Sequence, residues 1–325
     1  MKLLRILPLL AIATFLSACG GDDEGNGNEG APVVNNNSNK NDALHAGLEF
    51  PRLRNGNSTV VTHTTSAFGT TYSLEWDHKL KAQRWTCYYF TKDNKVKKWQ
   101  RSNWKGATWE GKYWTGDPFQ KDPDVPNAEQ PNVTGEFSGS SYPDKGFTYF
   151  QRGHMCASED RVASQDANGQ TFYMTNMMPQ GDLFNGKLWS KMEAFVRDDW
   201  GRKITSASDT LFVVKGGTID SEDKILCRTR SGFIVPRYFF MALLLKKGSS
   251  YQAMGFWVEH INEDHSNDKL SDYMVNIREL EEKTCSKAGN SDGIDFFCNL
   301  PDDIEQSVET MDHATIMRVW DLNNK

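Results

Sequence analysis

Two short stretches of the 325-residue sequence carry the residue types that acid–base chemistry on a charged ester needs. The first is Gln151-Arg152-Gly153-His154-Met155, a histidine preceded by a cation. The second runs Asn185-Gly186-Lys187-Leu188-Trp189-Ser190-Lys191-Met192-Glu193 and places an amide, an indole and a carboxylate at i, i+4 and i+8. On a helix those three side chains share roughly one face. Hydrolysis of a phosphodiester requires a base to deprotonate water, a divalent cation to neutralise developing charge, and a cationic donor for the phosphate. His154, Asn185 and Arg152 are of those chemical types.

The elements that must hold them follow from periodicity and punctuation. Asp182 offers a helix N-cap, and Leu183, Leu188, Trp189, Met192, Phe195 and Val196 recur at helical spacing until Gly201 stops the run. Strands are expected at 146–150 and 170–175, on either side of a connection containing Gly153, Asp160 and Asn168-Gly169. Further strands are expected at 71–76, 84–91, 210–214, 234–245 and 251–258, and helices at about 271–283 and 302–310. Between them, 92–145 is rich in Gly, Pro, Asp and Trp and too long for an ordinary hairpin loop, so it is functional or decorated. No repeat is visible, and strands interspersed with helices without regular alternation give an α+β or mixed sheet in one large domain.

The remainder of the chain bounds its setting. Met1-Lys2-Leu3-Leu4-Arg5, an apolar run to Leu16 and Ser17-Ala18-Cys19 form a signal peptide over 1–18, with Leu16-Ser17-Ala18-Cys19 resembling the lipobox of bacterial lipoproteins. That resemblance implies lipidation of Cys19 and a chain anchored to a membrane without spanning it, in the outer membrane of a bacterial cell envelope. Residues 19–47 hold almost no large apolar side chains and are expected as a disordered tether, leaving 48–325 as the folded body. Asp22-Asp23-Glu24 behind Cys19 resembles the export signals of surface-displayed lipoproteins, or is a plain solvated charge run. A lipidated Cys19 leaves an odd number of thiols, among which Cys285 and Cys298 bracket a polar loop and form the candidate disulfide. Net charge is −6, so bulk electrostatics do not announce nucleic acid and a phosphate would need a local cationic patch.

Arg152-Gly153-His154 followed by Asn185, Trp189 and Glu193 at their spacing resembles the DNA/RNA non-specific endonuclease family of the ββα-metal (His-Me finger) superfamily, related to secreted bacterial nucleases and mitochondrial endonuclease G. The likeness extends from about Tyr72 to Glu305. It includes Arg84-Trp85-Thr86-Cys87-Tyr88-Tyr89, Phe119-Gln120-Lys121-Asp122-Pro123, Thr175-Asn176-Met177-Met178-Pro179-Gln180 and Val213-Val214-Lys215-Gly216. The family implies an α+β fold with a central, mainly antiparallel sheet flanked by helices, and an endonuclease cutting DNA and RNA with little sequence preference to leave 5′-phosphates. It implies His154 as general base, Asn185 as the single direct ligand of Mg²⁺ (Mn²⁺ as alternative), Glu193 holding a water of that ion, Asn176 orienting the site, and Arg152 on phosphate or on the helix. Two departures stand out. Gln151 occupies the position where the family usually has Asp, and the upstream phosphate-clamping arginine falls in a stretch with extra residues, where Arg101 of Lys97-Lys98-Trp99-Gln100-Arg101 is the candidate.

Other readings compete. Gln151 and the acidic body fit a surface binding protein that keeps the fold and has lost turnover, and a phosphodiesterase of another substrate would share the same machinery. Trp99, Trp104, Trp109, Tyr113 and Trp114 allow a carbohydrate-binding lipoprotein, although such a cluster more often fills a local core and could equally stack bases. The remaining histidines, including His63, His260 and His265, show no metal-ligand spacing. Cys156 reads as a buried, inert thiol more readily than as a reactive one.

Overall fold

The computed structural model describes residues 34–325 except 37, 40, 41, 68 and 324. The expected signal peptide, the expected lipidation site Cys19, and the acidic stretch Asp22-Asp23-Glu24 lie outside the described residues.

Strands β1 (Ser58–Thr65), β2 (Gly69–Asp77) and β3 (Ala82–Phe90) form an antiparallel meander. The long connection after it contains a small hairpin of β4 (Ala107–Trp109) and β5 (Lys112–Trp114), and a second hairpin joins β6 (Gln151–His154) to β7 (Met177–Gln180). Then come β8 (Thr210–Gly217), the pair β9 (Ile225–Arg228) and β10 (Ile234–Pro236), β11 (Tyr238–Lys247), β12 (Ser250–Glu259) and β13 (Met274–Val275). The central sheet has seven strands in the order β1-β2-β3-β8-β11-β12-β13, antiparallel throughout. Helices α1 (Gln165–Gln170), α2 (Ser190–Ala194), α3 (Ile277–Thr284), α4 (Asp302–Glu309) and α5 (His313–Val319) complete the α+β fold. Among the described residues no helix is long and apolar enough to cross a membrane.

The sheet is buried on both faces, and β11 shows why. Phe239, Met241, Leu243 and Leu245 enter one core with Leu188, Trp189, Met192, Phe195 and Val196, while the alternate residues Phe240, Ala242 and Leu244 enter another with Ile277, Leu280 and Val308. The first core carries the long helix around α2, and the second carries α3 and α4. Between β2 and β3, buried Arg84 donates to Glu75, Asp77 and Asp220 at 2.8–3.1 Å. Four charges can stay inside because each has a partner.

A third core belongs to the long connection. Trp104 and Trp109 are buried, with their indole nitrogens donating to Asn168 and Asp166 of α1 at 2.7 and 3.0 Å. These two rings are packing and present no sugar-binding platform. Strands do not form at 146–150 or 170–175: Thr171, Phe172 and Tyr173 are buried as a turn against this core, so their apolar and β-branched character records burial rather than pairing. The partner of β6 is β7 instead. β1, unanticipated, covers the sheet edge with a half-buried alternation.

Two further expectations are corrected. Cys285 and Cys298 are both buried and free, each facing its own backbone acceptor: Glu281 and Asn290 carbonyls for Cys285, the Phe50 carbonyl for Cys298. And of the stretch 19–47 expected as a tether, the described residues from Val34 onward are held to the body by their asparagines. Asn35 donates to the Leu300 carbonyl at 2.7 Å, Asn36 bonds Asp302, and Asn39 exchanges hydrogen bonds with Pro51 and Asn299. The compact unit begins at Val34.

Candidate active site

The hairpin β6–β7 pairs Gln151 with Gln180 and His154 with Met177, and the chain then turns at Gly181 into the helix. That helix is wide: π-helical turns Phe184–Trp189 and Phe195–Trp200 flank α2. Its first N–H groups are not capped by Asp182. The Gly181 N–H donates to His260 Nε2 at 2.8 Å and the Leu183 N–H to Asn262 Oδ1 at 3.0 Å, so a distant loop fixes where the helix begins. His260 is buried and held near pKa 3 by that burial; its Nδ1 meets the Pro236 carbonyl, and it works as a neutral structural residue.

Two contacts set the hairpin against this helix. Trp189 Nε1 donates to the His154 carbonyl at 3.3 Å. Asn185 Nδ2 donates to Gln151 Oε1 at 2.7 Å. Behind the hairpin, buried Asn176 donates to the Cys156 and Thr171 carbonyls at 2.9 and 2.7 Å and accepts from the Cys156 N–H at 2.9 Å. Gly153 is required by packing, because a Cβ there would lie 2.1 Å from the buried Gln180 side chain.

Arg101, Arg152, His154, Asn185 and Glu193 line one cleft of about 680 Å³, together with Phe119 and Asp117. Asn176 does not line it. His154 stands edge-on to Phe172, ring centroids 5.1 Å apart, and beside Phe119; its Nε2 is enclosed without a partner. Burial first, then the positive charges of Arg101, Arg152 and Lys215, pull its pKa down to about 3. The imidazole is therefore unprotonated near neutrality. The Arg152 guanidinium lies 3.6 Å from the Phe119 ring centroid and donates to the Val133 carbonyl, and Arg101 forms a two-pronged pair with Asp117.

Glu193 leads to residues the sequence did not single out for a role. Lys215 of β8, fully buried, sits 3.3 Å from Glu193 Oε1 and 3.8 Å from Asp160 Oδ2; Asp160 also accepts from Tyr88 at 2.7 Å and meets Arg197 at 3.4 Å. Burial raises the pKa of Glu193, and Lys215 opposes that shift. The available signal was a lysine in the middle of an apolar strand, which must face a carboxylate. Cys156 is buried, its thiol pushed up to about 12 by that burial, which makes it inert. Two other ligand clusters, His63–Asp122–Asp124 and Glu281–Asp295–Glu309, lie away from the cleft.

A histidine on a two-stranded hairpin, backed by a helix that presents an amide and a carboxylate to the same cleft, defines a ββα hydrolytic centre. The chain belongs to the DNA/RNA non-specific endonuclease family, whose model matches residues 50–303. It is 28% identical over 178 residues to Nuclease C1 of Cunninghamella echinulata var. echinulata, covering 52% of this chain and 65% of that protein. It is 29% identical over 181 residues to a nuclease of Nostoc sp., covering 54% and 57%, and 28% identical over 166 residues to mitochondrial Nuclease EXOG of Xenopus laevis, covering 46% and 43%. The chain thus spans less than two thirds of the length of these relatives. A solved structure described as the EndoG/EndoGI complex superposes with a TM-score of 0.52 at 20% identity, covering 74% of this chain and 86% of that one, which establishes the shared fold.

Proposed function

We propose that this chain is a divalent-metal-dependent endonuclease that hydrolyses the phosphodiester bonds of DNA and RNA with little sequence preference. The observation that carries this is the convergence of His154, Asn185, Glu193, Arg101 and Arg152 on one cleft. His154 is the base: with Nε2 enclosed, Nδ1 is the nitrogen left to take the proton of the attacking water, and it is free to do so because the ring is neutral. Arg152 and Arg101 receive the phosphate, Arg101 by exchanging part of its contact with Asp117. Glu193, braced by Lys215, orders water beside Asn185.

The donor set fits a hard cation. Asn185 commits only its Nδ2 to Gln151, which leaves Oδ1 as a neutral oxygen ligand, and Glu193 supplies a nearby carboxylate. One or two protein oxygens with the rest water suit Mg²⁺, with Mn²⁺ as the alternative. Bound there, the ion would neutralise charge developing on the phosphate and its leaving oxygen.

Cleavage of supercoiled plasmid and of single-stranded RNA by the full chain tests this. Degradation of both with Mg²⁺, prevented by EDTA and by His154→Ala or Asn185→Ala, is expected. Absence of metal-dependent cleavage across pH and divalent ions would instead favour a binding protein on the same fold. The setting we propose is a bacterial envelope, with Cys19 lipidated at the outer membrane and Asp22-Asp23-Glu24 directing surface display; palmitate labelling lost in Cys19→Ser would support it.

A further inference from the structure

A second concavity of about 770 Å³ adjoins the catalytic cleft, sharing Phe119, Asn132, Val133 and Thr134 as a common wall. Its far side is built by the β4–β5 hairpin and the segment after it, through Lys112, Trp114 and Lys121. Both lysines have neutral partners: Lys112 Nζ donates to Gln120 Oε1 at 3.0 Å and Lys121 Nζ to the Asn127 carbonyl at 2.7 Å. Neither forms an ion pair among the described residues, in a chain whose net charge is −6. The nearby carboxylate of Glu110 is engaged by Gln120 Nε2 and Tyr173 Oη at 2.6 and 2.8 Å. Lys112 Nζ lies 5.9 Å from the centroid of the half-buried Trp114 ring, and Trp114 Nε1 is enclosed.

Uncompensated ammonium groups beside an aromatic ring are the two components that hold single-stranded nucleic acid: charge for the backbone and a flat face for a base. We infer that Lys112, Trp114 and Lys121 form a subsite for an unpaired nucleotide beyond the two that the scissile phosphate joins, Trp114 stacking its base and the lysines taking its phosphates. Phe119 connects the two sites, since Arg152 stacks on it from the catalytic side. The assignment rests on the nuclease function proposed above and makes length of single strand, rather than base identity, the quantity this part of the surface reads.

The test compares a single-stranded 20-mer with a dinucleotide as substrates of the full chain. In Lys112→Glu/Lys121→Glu, and separately in Trp114→Leu, the ratio of kcat/KM for the 20-mer to that for the dinucleotide is expected to fall roughly tenfold, with Trp114→Phe restoring it. A merely misfolded variant lowers both substrates and leaves the ratio alone. Binding of a labelled 20-mer in EDTA supplies a second readout: the slope of log affinity against log salt should weaken by about 1.4 in the double variant, for two lost phosphate contacts on a single strand. Cleavage by the wild type with ratio and slope unchanged in the variants overturns the subsite alone. Binding that the variants weaken, without any cleavage, supports the subsite and overturns the nuclease function; neither binding nor cleavage overturns both.

Discussion

Asn185 Nδ2 and Gln151 Oε1 are 2.7 Å apart, so the residue that departs from the family's usual Asp is the one that orients the amide. The bond turns Asn185 Oδ1 away from the hairpin, and Gln151 does this without adding a charge to the cleft. If Asn185 holds the metal as proposed, Gln151→Ala should weaken Mn²⁺ binding measured by calorimetry by about 10–100-fold, the usual cost of losing a partner behind a metal ligand. Unchanged affinity would mean that Asn185 is oriented by something else.

His154 and Lys215 should fail differently. His154→Ala is expected to lower kcat by about 10²–10⁴ with little change in oligonucleotide affinity, and added imidazole should recover part of the rate. Lys215→Met leaves Glu193 and Asp160 without their shared cation, so activity falls together with the unfolding midpoint, and imidazole restores nothing. Imidazole rescue of the lysine variant would contradict this division of roles.

Stability should depend on the buried His260. Its pKa is depressed to about 3 in the folded protein, below its ordinary value, so the unfolded chain binds a proton that the folded one refuses. The stabilisation is complete above about pH 6.5 and is lost as pH falls toward the folded value. Near pH 5 this one group should contribute a slope of about 1.4 kcal/mol per pH unit, and His260→Phe should remove it from chemical-denaturation curves.

Arg84 anchors Glu75, Asp77 and Asp220 from the centre of the sheet. Arg84→Met should cost about 3–5 kcal/mol of stability, because it strands buried carboxylates rather than removing a surface pair. Replacing the carboxylates together with the arginine should recover part of that loss, as a double-mutant comparison would show.

What could be read in advance was what depends on local order. The helix over Leu188, Trp189, Met192, Phe195 and Val196 follows from spacing, whereas the gathering of His154 with Asn185 and Glu193 came from the family resemblance, and all three line the cleft. What escaped depends on partners far along the chain. Asn262 and His260 start the helix from about eighty residues away, so Asp182 looked like its cap. Lys215 and Asp160 meet only once β8 is placed beside β3. Asn35, Asn36 and Asn39 have a composition that cannot build a core, yet they satisfy backbone carbonyls and polar side chains of a core built elsewhere.

The ring of His154 is walled by Phe119 and Phe172, which belong to the tryptophan-rich core of the long connection rather than to the sheet. Asn185 and Glu193, by contrast, ride on the helix packed against the sheet, so the cleft straddles two cores of one compact unit, and loosening either would part the imidazole from the amide and carboxylate beside it.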